Sequence, residues 1–199
     1  PMSFILSKEF INLKSFSELA LTSMKKPLLL ATCGFGGHDH MYPLLFKAFL
    51  EKNNIKINFD FLHTDGTALI VSHFRRGEID GTIEIIRPFI ELIDRKEARV
   101  LFTFTEKRTE LLPDVPTIYE LPEFASIDKK ELNRLANFGH YRRVMVAPPG
   151  TENTKVKILS EAVGRALKDR ELINKSIEAK RPITYIDSQK IREIINEEM

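Results

Sequence analysis

The sequence predicts an α/β chain, a mainly parallel sheet flanked by helices, on three observations. Short apolar runs alternate with amphipathic stretches over the first hundred residues. Glycine-bearing turns follow two of those runs, where a strand would hand over to a helix. With 43% hydrophobic and 29% charged residues, a chain of 199 can bury a sizeable core in one domain or two small lobes.

The elements are read in order. Ser3 to Ser7 is a short apolar strand and Ser17 to Lys25 a helix. Leu28 to Ala31 is a strand, followed by a helix over Tyr42 to Lys52 that sets Leu44, Leu45, Ala48 and Phe49 on one face. Pro43 then falls in the first turn, where its missing N–H costs nothing. Alternation of Ile55, Ile57, Phe59 and Phe61 predicts a strand over Ile55 to Leu62. Thr67 to Arg76 is a helix closed by Gly77. Thr82 to Ile86 is a strand, Pro88 to Arg95 a helix and Val100 to Thr105 a strand.

This succession of β and α units argues for parallel strands covered on both faces. Lys107 to Glu123 carries Pro113, Pro116 and Pro122 and reads as largely irregular. Ser126 caps a helix to Phe138, with Leu132 and Leu135 inward. Arg143 to Ala147 is a strand stopped by Pro148-Pro149-Gly150. Thr151 or Asn153 caps a long helix whose buried stripe is Val156, Leu159, Val163 and Leu167. Helices over Arg170 to Lys180 and Ser188 to Glu198 surround a strand at Ile183 to Ile186. The domain boundary falls near Gly139 to Arg142.

The loop Thr32-Cys33-Gly34-Phe35-Gly36-Gly37-His38-Asp39-His40 is the most informative segment. Its glycines let backbone approach a ligand, and the helix that follows directs its unsatisfied N–H groups at the loop, a site for a carboxylate or phosphate. It is not a dinucleotide fingerprint, because Asp39 stands at the third glycine position, and no G-K-[ST] follows. Thr64-Asp65-Gly66-Thr67 is a second strand-to-helix turn and a second candidate anion nest. Two such turns at one edge of a parallel sheet match the place where ligands of open α/β sheets gather.

Other candidates carry less. His38, His40, His63 and His73 lack the spacing of a metal set, and no metal or other cofactor is expected. Cys33 reads as a small buried hydrophobe, since neither a base nor an orienting partner accompanies it. Being the sole cysteine, it excludes an internal disulfide. Arg108, Arg142 and Arg143 are candidate anion partners, with surface ion pairing the simpler reading for Arg142. Net charge is +2 and the basic residues are scattered, which argues against nucleic acid. No apolar run reaches the ~20 residues of a membrane span, and the first residues lack the pattern of a signal peptide.

Several stretches, taken in order, resemble the extracytoplasmic solute receptors of tripartite tricarboxylate transporters, the periplasmic carboxylate-binding proteins. The loop from Thr32 to His40 is similar to that family's small-small-Gly-x-Gly-small-x-x-His loop. Thr64-Asp65-Gly66 and the later Gly77-Glu78-Ile79-Asp80 resemble its turn glycine and Gly-Glu-Val-Asp. Arg108, Pro113-Asp114-Val115-Pro116-Thr117 and Glu120 form the most specific match, and Ala147-Pro148-Pro149-Gly150-Thr151 resembles the Ala-Pro-x-Gly-Thr before the family's long C-terminal helix.

The resemblance implies a two-lobed receptor of the type II periplasmic-binding-protein kind, without catalysis or cofactor. It would hold a small carboxylate between lobes and deliver it to membrane permease subunits, as a monomer outside the cytoplasm. Residues 1–140 would be the second, ligand-binding lobe with its hinge strand. Residues 141–199 would return to the first lobe, whose N-terminal half has no counterpart here. Ligand contacts implied are Thr32, Cys33, Gly34, Gly36, Gly37 and His40 from the first turn, Asp65, Gly66 and Thr67 from the second, and Glu84. Two other classes remain open: an effector-sensing domain of a regulator, which would need a helix-turn-helix, and an anion-binding α/β enzyme fragment, which would need a lysine or carboxylate set near Gly34 to Gly37. The sequence displays neither feature.

Overall fold

The computed structural model describes residues 1–140, 144–179, 183 and 185–198 and divides into two compact units, Pro1–Arg142 and Arg143–Met199. The first holds strands β1 (Met2–Ser7), β2 (Leu28–Cys33), β3 (Phe59–Thr64), β4 (Gly81–Ile85) and β5 (Ala98–Thr103). Its helices are α1 (Phe16–Lys25), α2 (His38–Lys52), α3 (Thr67–Arg76), α4 (Ile90–Asp94) and α5 (Lys129–His140). The second holds α6 (Asn153–Leu167), α7 (Arg170–Glu178) and α8 (Ser188–Glu198).

The sheet order is β3-β2-β4-β1-β5. β2 pairs in parallel with both β3 and β4, but β1 runs antiparallel between β4 and β5. Strands β3, β2, β4 and β5 therefore run the same way and β1 alone opposes them, so the sheet is mixed while four of its five strands are parallel, as the sequence predicted. The exception is not signalled by the alternation, because α1 lies between β1 and β2 and yet these two strands, which are not neighbours in the sheet, run opposite ways.

Residue alternation along the strands builds two cores. On one face Phe4, Phe46, Phe59, Phe102, Phe104 and Phe124 pack with Leu30, Tyr42 and Leu135, joining the sheet to α1, α2 and α5. Ring centroids there lie 5.0–6.4 Å apart, the range of favourable offset and edge contacts. On the other face Ile5, Ala31, Ile70, Phe74, Phe89 and Leu92 bury α3 and α4. α2 and α3 thus cover opposite faces. The chain leaves β2 toward one face and β3 toward the other, the arrangement in which open α/β sheets form a ligand crevice outside the strand ends.

Several element ends differ from expectation. α2 starts at His38, so Pro43 lies inside the helix rather than in its first turn. β3 covers Phe59–Thr64, because its register with β2 begins at Leu28↔Phe59 and Ile55 to Asn58 serve as the return from α2. Asp128, not Ser126, caps α5, accepting from the N–H of Lys130 at 2.8 Å. At α6 the N-cap is Glu152, while the Thr151 hydroxyl donates to the Pro148 carbonyl. Gly77 closes α3 in the left-handed region, as its position predicted.

The second unit departs most. Residues 144–147 form no strand, with Met145 79% and Val146 84% exposed. Arg143 lies outside the described residues. Ile183, Tyr185 and Ile186 carry no strand either, and Thr184 lies outside the description. The expected buried stripe of α6 is not buried: Leu159 is 57% exposed, and Val156, Val163 and Leu167 are only half-buried. An amphipathic helix shows which face is apolar, but no strand in this unit, among the described residues, offers a surface to cover it. No helix of the described residues is long and apolar enough to cross a membrane.

Gly81 sits where the sheet is tightest. A Cβ there would stand 2.7 Å from the Ile5 carbonyl oxygen and 3.1 Å from Leu30 Cδ2. Gly81→Ala is expected to cost about 1–3 kcal/mol of stability through this overpacking. Urea unfolding should show a lowered midpoint with an unchanged slope, and an unchanged midpoint would contradict the packing described.

Candidate functional site

β2 and β3 end at the same sheet edge. Their register pairs Thr32 with His63 and Cys33 with Thr64, and the Gly34 N–H then donates to the Thr64 carbonyl at 3.2 Å. The turns after the two strands are thereby bound to each other. The Thr64 hydroxyl donates to the Thr32 carbonyl, and the Thr32 hydroxyl and His63 Nδ1 are 2.7 Å apart. Both turns and the starts of α2 and α3 therefore lie side by side at one sheet edge, as the two-turn reading expects.

The glycine turn is self-braced. Gly34 and Gly36 take φ of 66° and 76°, a region costly for residues with a Cβ. The Gly37 N–H donates to the Gly34 carbonyl at 2.7 Å, and the Gly36 N–H donates to His40 Nδ1 at 2.9 Å. All three glycine amides are thus committed within the paired turns. His40 is buried and its Nδ1 accepts from the backbone of the turn. At the second turn, Leu69 and Ile70 donate to the Gly66 carbonyl, so Thr67 and Ala68 supply the first-turn amides of α3.

Between the turns lies a cluster that sequence spacing did not reveal. Cys33 Sγ stands 3.7 Å from an Asp39 carboxylate oxygen, 3.7 Å from the Thr67 hydroxyl and 3.8 Å from Glu84 Oε2. Thr67 Oγ1 is also 3.4 Å from Glu84 Oε2. Glu84, only 1% exposed, comes from β4 next to β2, and its Oε1 accepts from the Ile85 N–H. Burial is the main cause that pushes the Cys33 thiol upward; the Thr67 hydroxyl opposes it, and the Glu84 and Asp39 carboxylates add smaller upward pushes. Cys33 packs against the core beneath α3, as expected of a small hydrophobe, but it is half-buried rather than buried and its sulfur also makes polar contacts.

Of the residues singled out from sequence, Thr32, Cys33, Gly34, Gly36, Gly37, His40, Gly66, Thr67 and Glu84 come together here, and Asp65 follows Thr64 on the exposed side of the second turn. Asp39, His63 and Phe35 were missed as members of the group. Phe35 is 84% exposed and stacks on His40 at 4.7 Å, while the His40 and His63 rings are 4.5 Å apart. Their proximity depends on the β2–β3 register, which linear spacing does not contain. Arg108 is not at this edge cluster: it holds Glu120 through Nε and Nη2 at 2.8–3.0 Å, bracing the proline-rich connector. Arg142 and Arg143 lie outside the described residues.

The chain shares its fold with solved structures of binding proteins. A Rhodopseudomonas palustris protein, Rpa4515, solved with adipate, superposes with a TM-score of 0.67 at 21% identity, over 100% of this chain and 62% of its own. MatC from the same organism, with bound malate, gives 0.65 at 19%, over 100% and 64%. The periplasmic binding protein BugD gives 0.65 at 18%, over 99% and 62%. The chain therefore spans under two thirds of the length of these proteins. No protein-family model matches the sequence, and no curated protein matches it either. What is established is the fold: an α/β architecture with a five-stranded mixed sheet, corresponding to part of a periplasmic binding protein.

The thiol environment has a direct consequence. Because its thiolate is disfavoured, Cys33 should be alkylated by iodoacetamide with a pH midpoint above the ordinary 9.0. Glu84→Gln removes a negative neighbour and should move that midpoint down. A midpoint at or below 9.0 in the unmodified chain would contradict the geometry.

Proposed function

We propose that this chain is the ligand-binding part of a solute receptor that captures a small carboxylate in the crevice between the turns after β2 and β3. The observation that carries this reading is the Gly34–Thr64 hydrogen bond, which sets two helix N-termini side by side at one sheet edge. First-turn amides and the aligned peptide dipoles of α2 and α3 both favour a negative group there. Since the glycine amides are spent within the turns, the donors to the ligand are the helix-start amides, Thr67 and Ala68 among them, with the Thr32 and Thr67 hydroxyls beside them. The adipate and malate in two proteins of the same fold agree with this ligand class.

In this reading residues 1–140 are the second lobe with its hinge strand, and residues 141–199 return to the first lobe. The exposed Val144, Met145, Val146 and Leu159 support that assignment, because apolar surface of this kind is ordinarily covered. The receptor works outside the cytoplasm, without catalysis, and hands its ligand to membrane permease subunits.

Thermal unfolding of the chain with adipate, malate, citrate and acetate tests the reading. At least one carboxylate should raise the melting temperature, since a ligand at a hundredfold excess over its Kd adds ~2.7 kcal/mol. Gly36→Val, which forces a branched residue into φ 76°, should abolish that response with the fold retained. An equal shift in wild type and variant, or no shift with any carboxylate, would overturn the assignment.

A further inference from the structure

Three side chains able to ligate a metal meet between the two turns. The donor atoms of Cys33, Asp39 and Glu84 all lie within 4.8 Å of one another, and Cys33 Sγ is 3.7 and 3.8 Å from the two carboxylates. Tetrahedral zinc, with bonds of about 2.3 Å to sulfur and 2.0–2.2 Å to oxygen, places its donors about 3.5 Å apart. The observed separations are within a small side-chain adjustment of that figure. The three donors come from three separate elements: the end of β2, the first turn of α2 and β4. The Cys33 thiol is hydrogen-bonded to both carboxylates, and a bound ion would take the place of those two contacts.

We propose that Cys33, Asp39 and Glu84 form a divalent-cation site of the zinc type, and that the ion holds one oxygen of the carboxylate ligand. A thiolate with two carboxylates suits zinc better than the harder magnesium or calcium. Three protein ligands leave a coordination position for an exogenous oxygen, as in zinc sites that take water or substrate. On binding, the Cys33 S–H bond breaks, its proton passes to solvent, and the sulfur pair is donated to the metal, so affinity rises with pH. The ion also reconciles two acidic groups with an anion-binding crevice, since a carboxylate ligand then meets a cation rather than Asp39 and Glu84 alone. The inference rests on the carboxylate reading of the same turns.

The test uses the tag-free 199-residue chain, stripped with EDTA and then freed of chelator. Titration with zinc chloride should show one ion per chain. Cobalt chloride should produce a near-ultraviolet thiolate-to-cobalt charge-transfer band. Cys33→Ser should remove that band and weaken zinc binding at least tenfold, and Asp39→Asn at least fivefold, with melting curves confirming folded variants. Should a variant fail to fold, protection of the wild-type Cys33 thiol from alkylation by one equivalent of zinc reads the same contact. Absence of the band and of protection, or zinc binding undiminished in a folded Cys33→Ser, would overturn the site. Malate and adipate binding should tighten at least tenfold with zinc over EDTA. Equal affinity in EDTA overturns the bridge alone, leaving the carboxylate reading intact. Metal binding with no carboxylate response in either condition removes the carboxylate reading, and the bridge with it.

Discussion

The site depends on the parallel pairing of β2 with β3. Side-chain period in a strand is two, so a one-residue slip would carry Thr32, Cys33 and Thr64 to the wrong faces and separate the turns. The register is held on both sides of the sheet. Leu28, Leu30 and Phe59 enter the phenylalanine-rich core, whereas Ala31 lies in the opposite core beneath α3. At the open end the Gly34 N–H to Thr64 carbonyl bond continues the ladder past the last residue of β2. Core packing thus fixes, at a distance, which backbone groups face the crevice.

The turns themselves are rigid because their polar groups are spent on each other. Gly34, Gly36 and Gly37 provide shape and internal hydrogen bonds, while the ends of the two helices provide the field. That division separates two roles commonly assigned together to glycine-rich loops. A glycine replacement here would act through backbone conformation, and a substitution at Thr67 through a lost donor. Buried His40 belongs to the first role: its ring closes the turn by accepting from Gly36.

How much of this was legible in sequence follows from which interactions are local. The β2–turn–α2 and β3–turn–α3 units were readable, since glycine chemistry, helix periodicity and the Gly77 cap act over a few residues. The shared sheet edge followed from the expectation of parallel strands. Antiparallel β1 did not, because its partners Ile83 and Phe102 lie some eighty to a hundred residues away. The meeting of Cys33, Asp39 and Glu84 escaped for the same reason: Glu84 reaches the site only through β4 pairing with β2. Within Arg143–Met199, periodicity identified α6 and its apolar face correctly, and assigning that face as buried went beyond what a helical pattern contains.

The central claim is that helix-start amides at paired turns grip the ligand. Amide chemical shifts of the 15N-labelled chain, followed while malate or adipate is added, address it residue by residue. The account predicts the largest shifts at Thr67, Ala68 and the first turn of α2, with much smaller changes on the distant face formed by α4 and the Lys8, Arg75 and Arg95 side. Shifts centred on that distant face, with the two turns silent, would contradict it.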